Sequence, residues 1–308
     1  MNASKTKDID LRIGTRSSRL AIAQVDEFIS IFTQHVPEIN LCMVPIKTEG
    51  DINKDLPLSE MNRGMFVREI EQALISKHID IAIHSAKDIP PESNPELQIS
   101  AMLKRADARD IIVNRWNLPL DKIPDGATIG TSSPRRAAFI SDQRPELIVK
   151  PIRGNVDTRL KKVGRGYDGI VLAAAGLTRL NMIDIVDQFI DTDIFVPDAG
   201  QGAIAIQTRV DDKDTSAAVS KVNDADTFVC VTSERAFMRA LGASCSTPHA
   251  AYAEIEKQLI KITGLVFSND GKRQYKDMIY GDIKFPEKTG VDLAEKLIRN
   301  GAEVIEGT

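Results

Sequence analysis

Gly130-Thr131-Ser132-Ser133-Pro134-Arg135-Arg136 leads from an apolar segment through three hydroxyls onto a helix start, and sets two guanidinium groups side by side. The N–H groups of a helix start, joined by arginine, receive carboxylate or phosphate. Arg153-Gly154-Asn155 repeats the arrangement after the next apolar run, with Arg159 about a turn further on. Gly14-Thr15-Arg16-Ser17-Ser18 does the same after the first run. Each arginine alone reads more simply as solvated or paired at the surface. Three clusters at equivalent positions are a different matter. In open α/β sheets ligands bind beyond the carboxyl ends of the strands, so all three face one cleft suited to a ligand with several carboxylates.

His84-Ser85-Ala86-Lys87-Asp88-Ile89-Pro90 brings an amine and a carboxylate out together at the end of an apolar strand. There Asp88 is placed to stabilise a cationic intermediate and Lys87 to bind an acidic substituent; an aspartate making a turn before proline is the plainer alternative. Gly242-Ala243-Ser244-Cys245-Ser246-Thr247-Pro248 sets a thiol among small residues, which leave space for a bulky adduct. Cys42 and Cys230 sit instead in apolar runs, as structural cysteines do. His35, His78, His84 and His249 are scattered, with no metal-ligand spacing, so no metal is expected. Gly164-Arg165-Gly166-Tyr167-Asp168-Gly169 matches the dinucleotide fingerprint by letter, but it follows a helix and opens a strand, the reverse of what that motif needs. It reads as a turn.

The elements that position these residues alternate between strand and helix. A strand at 10–14 precedes a helix from about Ser18 whose Leu20, Ala23, Val25, Phe28, Ile29 and Phe32 form an apolar face. Strand 41–46, a helix with Phe66, Ile70, Ala73 and Leu74 on one side, and strands 79–83 and 97–103 follow. The charged stretch 104–109 crosses to a second set: strands 110–114 and 128–131, a helix at Pro134 capped by Ser132 or Ser133, strand 147–151, helix 156–163 and strand 169–174. Segments 195–197 and 203–206 are suited to carry the chain back. A helix over 226–241 with Phe228, Val231, Ala236 and Phe237 buried, strands 250–255, 259–267 and 274–280 with a hairpin turn at Asn269-Asp270-Gly271, and helix 291–298 make a small α+β unit. The expected domains are 1–103 plus 197–222, 104–196 and 223–308.

The 308 residues are 42% hydrophobic, 27% charged and 5% aromatic, which suits a globular chain of more than one core. The net charge of -4 gives no general attraction for nucleic acid. Charge is uneven, however: 130–180 holds ten Lys/Arg against four Asp/Glu, so a local anion site inside an acidic protein is consistent with the clusters. No apolar run approaches the ~18 residues of a membrane span, and the first residues lack the apolar core of a secretory signal. Three widely spaced cysteines argue for a reducing, cytoplasmic setting.

Taken in order, these segments resemble the porphobilinogen deaminase (hydroxymethylbilane synthase) family over nearly the whole chain. The resemblance rests on Thr15-Arg16-Ser17-Ser18, Thr48 with Gly50-Asp51, 64–69, His84-Ser85 with Lys87-Asp88, 130–136, 153–160, 175–180, Gly200-Gln201-Gly202-Ala203, 233–236 and the Cys245 loop. It implies an α/β fold: two domains like those of periplasmic binding proteins, with the active cleft between them, and a smaller α+β domain at the C-terminus. It implies a transferase of tetrapyrrole and heme biosynthesis, in which a dipyrromethane cofactor is held as a thioether on Cys245. Four porphobilinogen units are added to that primer, each losing ammonia, and the linear tetrapyrrole 1-hydroxymethylbilane is released by hydrolysis. Asp88 and Lys87 match the catalytic positions. Cys245, Asp88, Lys87, Arg135, Arg136 and Ser132 match the cofactor-binding set; Arg16, Ser18, Arg153, Arg159, Arg179 and Gln201 match the substrate-binding set. The partners implied are porphobilinogen, the growing polypyrrole and a uroporphyrinogen-III synthase that takes the product, with no nucleic acid or membrane, and the enzyme is expected to be a monomer.

The chain departs from the family pattern at Met61-Asn62-Arg63-Gly64-Met65-Phe66, where a glycine-rich run with lysine is usual, at Ser244, where glycine precedes the thiol, and at Pro134, where leucine is usual. Arg63 keeps the charge with another geometry, and Asn62 stiffens a loop thought to close over the cleft. A non-enzymatic anion-binding module would use the arginine clusters and have no need of Cys245 or Asp88. Acyl transfer by a cysteine nucleophile would want His249 as base beside Cys245.

Overall fold

A strand buried on both faces must be covered on both, and an amphipathic helix that follows it directly is the nearest cover. In the computed structural model, which describes residues 9–48, 67–92, 94–242, 247–268 and 273–303, the chain begins this way. Strand β1 (Ile9–Arg16) runs into helix α1 (Arg19–His35), whose N-cap Ser18 accepts a hydrogen bond from the Ala21 N–H at 3.2 Å. Ala21, Val25, Phe28 and Phe32 recur at helical spacing and are buried, the last three against Leu11, Ile13, Ile81 and Ile83. Each fully buried phenylalanine contributes about 1.5–3 kcal/mol. Leu20, which the apolar pattern assigns to this stripe, turns instead to the second lobe, where it lines a cavity with Gln24.

β2 (Ile39–Ile46), α2 (Arg68–Ile75), β3 (Ile81–Ser85) and β4 (Leu97–Met102) complete the first pass. The chain then crosses to β5 (Asp110–Asn114), β6 (Thr128–Gly130), α3 (Pro134–Gln143), β7 (Ile148–Lys150), α4 (Val156–Leu160), β8 (Gly169–Ala173), α5 (Ala174–Arg179) and β9 (Gln188–Ile190). It returns as β10 (Ile204–Arg209) and α6 (Lys213–Ser220). The first sheet has the order β2-β1-β3-β10-β4 and the second β7-β6-β8-β5-β9. In each, the fourth strand enters from the other lobe and is antiparallel to both neighbours. The two crossings run side by side, joined by Ala106 N–H to Gly202 O at 3.2 Å. Consequently β1, β3, β6, β7 and β8 all end toward the space between the lobes.

α7 (Ala225–Ala240), the antiparallel meander β11 (His249–Glu256), β12 (Leu259–Phe267) and β13 (Gln274–Asp282), and α8 (Pro286–Arg299) form the third unit, an α+β one. Both helices pack on the meander through Phe237, Leu241, Leu293 and Leu297. Gly290 permits the close helix contact, since a Cβ there would stand 2.1 Å from the Ser233 carbonyl oxygen. The architecture is thus α/β, with a smaller C-terminal unit, as the sequence pattern implies.

Several local expectations are corrected. Helix 156–163 stops at Leu160, because 164–167 is the turn that the false fingerprint suggested: Gly164 (φ 77) donates to Tyr167 O at 2.8 Å. Helix 291–298 starts earlier, at Pro286, which occupies the first turn where its missing N–H is harmless. Cys42 is exposed, because β2 is an edge strand with alternate residues facing solvent, whereas Cys230 is buried and its thiol is pushed up to about 12. Cys245 with Ser244, Gly50-Asp51, Asn62, Arg63, Gly64 and Phe66, and the turn at 269–271 lie outside the described residues.

Candidate active site

β3 is apolar up to His84 and ends at Ser85, where a single 3-10 turn, Ala86–Asp88, throws two charged side chains into the space between the lobes. Asp88 lines a cavity with Arg16 and Ser18 from the tip of β1 and with Thr15, Gln24 and His84. Lys87 lines an adjoining cavity with Arg136 from α3, Val156 from α4, and Gly176 and Arg179 from α5. Leu20, Gln24 and Ser85 border both, so the two are parts of one cleft. Arg16, Ser18, Lys87, Asp88, Arg136 and Arg179 therefore converge, although they come from strand tips of both sheets.

The cleft is cationic and partly dry. Burial, then the like charge of Arg136, hold the Lys87 ammonium below its usual range, against Asp88, Asp198 and Asp110, which act the other way. Burial and Arg136 also push Arg159 down to about 10, opposed by Asp88. At about 10, Arg159 stays protonated at neutral pH. Arg159 is fixed on α4 by its Nε–H bond to Gly154 O at 2.7 Å. His84 is buried and held at about 4 by burial, so its imidazole is neutral. Among the described residues, Asp88 is thus the carboxylate set against several cations on the cleft wall.

Other predicted residues build the wall from behind. Arg135 and Arg136 share Asp110, a fully buried carboxylate, at 2.8 and 2.7 Å. The two guanidinium groups draw Asp110 down to about 2 despite its burial. Arg135 also donates to Val196 O at 2.8 Å and lies 4.3 Å from the centre of the Phe195 ring, so it anchors the return crossing and lines neither cavity. Ser133, not Ser132, caps α3. Ser132 Oγ accepts from Ile152 N–H at 2.9 Å and donates to Ile152 O at 2.6 Å, tying the tips of β6 and β7 together. Gln201, 1% exposed, uses its whole amide: Oε1 accepts from Lys87 Nζ at 3.2 Å and Arg136 Nη2 at 3.3 Å, and Nε2 donates to Ala108 O and Asp110 Oδ1 at 2.7 and 3.2 Å. Arg153 stands partly buried after β7, and its carbonyl accepts from Lys162 Nζ at 3.0 Å.

Residues that sequence reasoning passed over complete the frame. Asp110 opens buried strand β5, next to the charged stretch 104–109, and nothing in its local pattern points to a role. Glu234, fully buried on α7, binds Arg105 of the first crossing through both oxygens at 2.8 and 2.7 Å. It also accepts from Gly200 N–H of the return crossing and from Ala253 N–H of β11, each at 2.7 Å. One carboxylate thereby fastens the third unit to both crossings. His249, at the start of β11, is buried and is held at about 4 by burial.

This donor set matches a ligand rich in carboxylates on which positive charge develops. A family model described as "Porphobilinogen deaminase, dipyromethane cofactor binding domain" matches residues 11–217, and one described as "Porphobilinogen deaminase, C-terminal domain" matches 228–299. A porphobilinogen deaminase from Syntrophus aciditrophicus is 40% identical over 297 residues, covering 96% of this chain and 97% of that one. One from Deinococcus radiodurans is 42% identical over 301 residues, covering 96% and 97%. Among solved structures the chain is similar, at 14% identity, to the periplasmic VFT2 domain of Bordetella pertussis BvgS, covering 70% of this chain and 86% of that one with a TM-score of 0.41.

Proposed function

The chain belongs to the porphobilinogen deaminase family, and from that membership we propose which of its residues carry the reaction. The protein is a transferase of porphyrin biosynthesis that acts on porphobilinogen and uses a dipyrromethane cofactor. When bound through Cys245, the dipyrromethane supplies the pyrrole carbon on which the chain grows. The residues fit such a group: pyrroles bearing acetate and propionate need many cations and one anion for the ring N–H groups, and Lys87, Arg136 and Arg159 around Asp88 offer that set.

Asp88 accepts hydrogen bonds from pyrrole N–H and stabilises the positive charge that develops as ammonia leaves. It does so in a partly dry cleft, where a fixed carboxylate acts more strongly than in water. Lys87, Arg135, Arg136 and Ser132 form the cofactor side: Lys87 and Arg136 reach the cleft, while Arg135 anchors the return crossing and Ser132 holds the tips of β6 and β7 in place. Arg16, Ser18, Arg153, Arg159 and Arg179 take the carboxylates of incoming substrate, with Gln201 fixing Lys87 and Arg136 from behind. Four units are added before hydrolysis releases 1-hydroxymethylbilane. Domains divide at 1–103 plus 197–222, 104–196 and 223–308; the enzyme is a cytoplasmic monomer that passes its product to a uroporphyrinogen-III synthase. Among the described residues no helix is long and apolar enough to cross a membrane.

The observation that carries this reading is the position of Asp88, next to Lys87 and within the field of Arg159, in a cleft lined from both lobes. The test is ammonia release from porphobilinogen by Asp88→Ala. A fall of several orders of magnitude with the fold intact is expected; substantial remaining turnover removes Asp88 from its role.

A further inference from the structure

Helix α1 has a second working face. Leu20 and Glu27, two helical turns apart, face the second lobe, where Leu20 borders a cavity with Val156 of α4 and Gly176 of α5 and Glu27 meets Arg179; Gln24, between them, borders the same cavity. Gln24 Nε2 donates to Ser85 Oγ at 2.9 Å, beside the turn that carries Lys87 and Asp88. Glu27 Oε2 pairs with Arg179 Nε at 2.7 Å, and Arg179 Nη2 donates to Gly202 O of the return crossing at 3.0 Å. Near the start of the helix Arg19 pairs with Asp157 of α4 at 2.6 Å. Two ion pairs thus join the lobes along the cavity that Arg179 lines.

The arginines of the cleft are not equally available. Asp110 is fully buried between Arg135 and Arg136 and has no route to water, so these guanidinium groups keep their partner whatever enters the cleft. Arg179 is different. Its side chain is 7% exposed and held on one side by a fixed carbonyl, while its anionic partner is 33% exposed on a surface helix. Glu27 can rotate into solvent at little cost, and the vacated guanidinium edge then meets a carboxylate in the cavity.

We propose that Glu27 is an internal competitor for Arg179, a carboxylate that bridges the lobes until a substrate carboxylate replaces it. This rests on the reading that Arg179 binds substrate. Exchange of one carboxylate for another keeps Arg179 paired throughout, and loosens the bridge between the lobes each time a unit enters. Because the pair with Glu27 must be given up, Glu27 raises the apparent KM without touching the reacting atoms. It is a positioning residue acting through Arg179.

The test is steady-state kinetics of the holoenzyme for Glu27→Gln, Arg179→Gln and the double variant, at one ionic strength. Glu27→Gln is expected to lower KM for porphobilinogen by up to about fivefold, the range of an ion pair with one partly exposed partner, with kcat little changed. Arg179→Gln is expected to raise KM, and in its background Glu27→Gln should have no effect. Glu27→Asp, which keeps the charge, should return KM toward that of the unaltered enzyme. If Arg179→Gln raises KM while Glu27→Gln leaves it unchanged or raises it, the exchange is wrong and Arg179 keeps its substrate role. If Arg179→Gln leaves KM unchanged, the role assigned to Arg179 fails, and the exchange with it. Thermal midpoints of all four variants, read beside the kinetics, identify a KM change that follows from lost folding, which would also overturn the proposal.

Discussion

Replacing Asp110 with asparagine removes one negative charge and almost no volume, which separates electrostatics from packing. The carboxylate is fully buried and faces Arg135 at 2.8 Å and Arg136 at 2.7 Å, with further hydrogen bonds from Arg136 Nε at 2.9 Å and Gln201 Nε2 at 3.2 Å. Asparagine offers a single oxygen acceptor and leaves two guanidinium groups buried without a counter-charge. Removing one partner of a buried pair costs about 3–5 kcal/mol. The depression of Asp110 from 3.8 to about 2 points the same way; it corresponds to roughly 2 kcal/mol, smaller because burial opposes the charged form throughout. At about 2–4 °C per kcal/mol, the thermal midpoint should fall by roughly 6–20 °C. Differential scanning calorimetry on Asp110→Asn at neutral pH reads this directly. A drop under about 2 °C would show that Arg135 and Arg136 do not depend on Asp110, and would refute the division between locked and exchangeable arginines.

Asp88→Asn should leave the thermal midpoint within about 2 °C of the unaltered protein while suppressing ammonia release, since Asp88 is only partly buried and faces the cleft; a stability loss like that of Asp110→Asn would mark Asp88 as structural. His84 and His249 are held at about 4 in the fold, against 6.5 in the unfolded chain. Between pH 6.5 and 4 the unfolded chain binds protons that the folded one does not, so stability falls as pH falls through that window, by up to about 3 kcal/mol per imidazole. Thermal midpoints measured from pH 7 to 4 should decline more gently for His84→Gln/His249→Gln, and an identical slope would assign the acid sensitivity to other groups.

The sequence revealed the strands, the helices and the places where chemistry emerges, because each depends on local pattern. The clusters after β1, β3, β6 and β7 are legible since strand, small residues, hydroxyl and arginine follow one another in the chain. What stayed hidden are charges whose partners are remote. Asp110 stands at the start of a strand beside the charged stretch 104–109, yet it serves arginines on α3. Ser233, Glu234 and Arg235 interrupt an apolar helix and are all buried: Glu234 meets the backbone of the return crossing, and Arg235 the carbonyls of Ile89 and Pro90. Leu20 was misplaced for the same reason: periodicity finds apolar faces but does not say which of two lobes each will meet. Hydropathy cannot distinguish a polar residue facing solvent from one facing a partner 100 residues away.

The central claim is that this chain builds a tetrapyrrole on a dipyrromethane held by Cys245, and the intact mass of the protein tests it most directly. Purified from cells able to make porphobilinogen, the protein should exceed its sequence mass by two pyrrole units, and Cys245→Ser should lack the increment. An unmodified mass for the unaltered chain, or an increment that survives Cys245→Ser, would contradict the account.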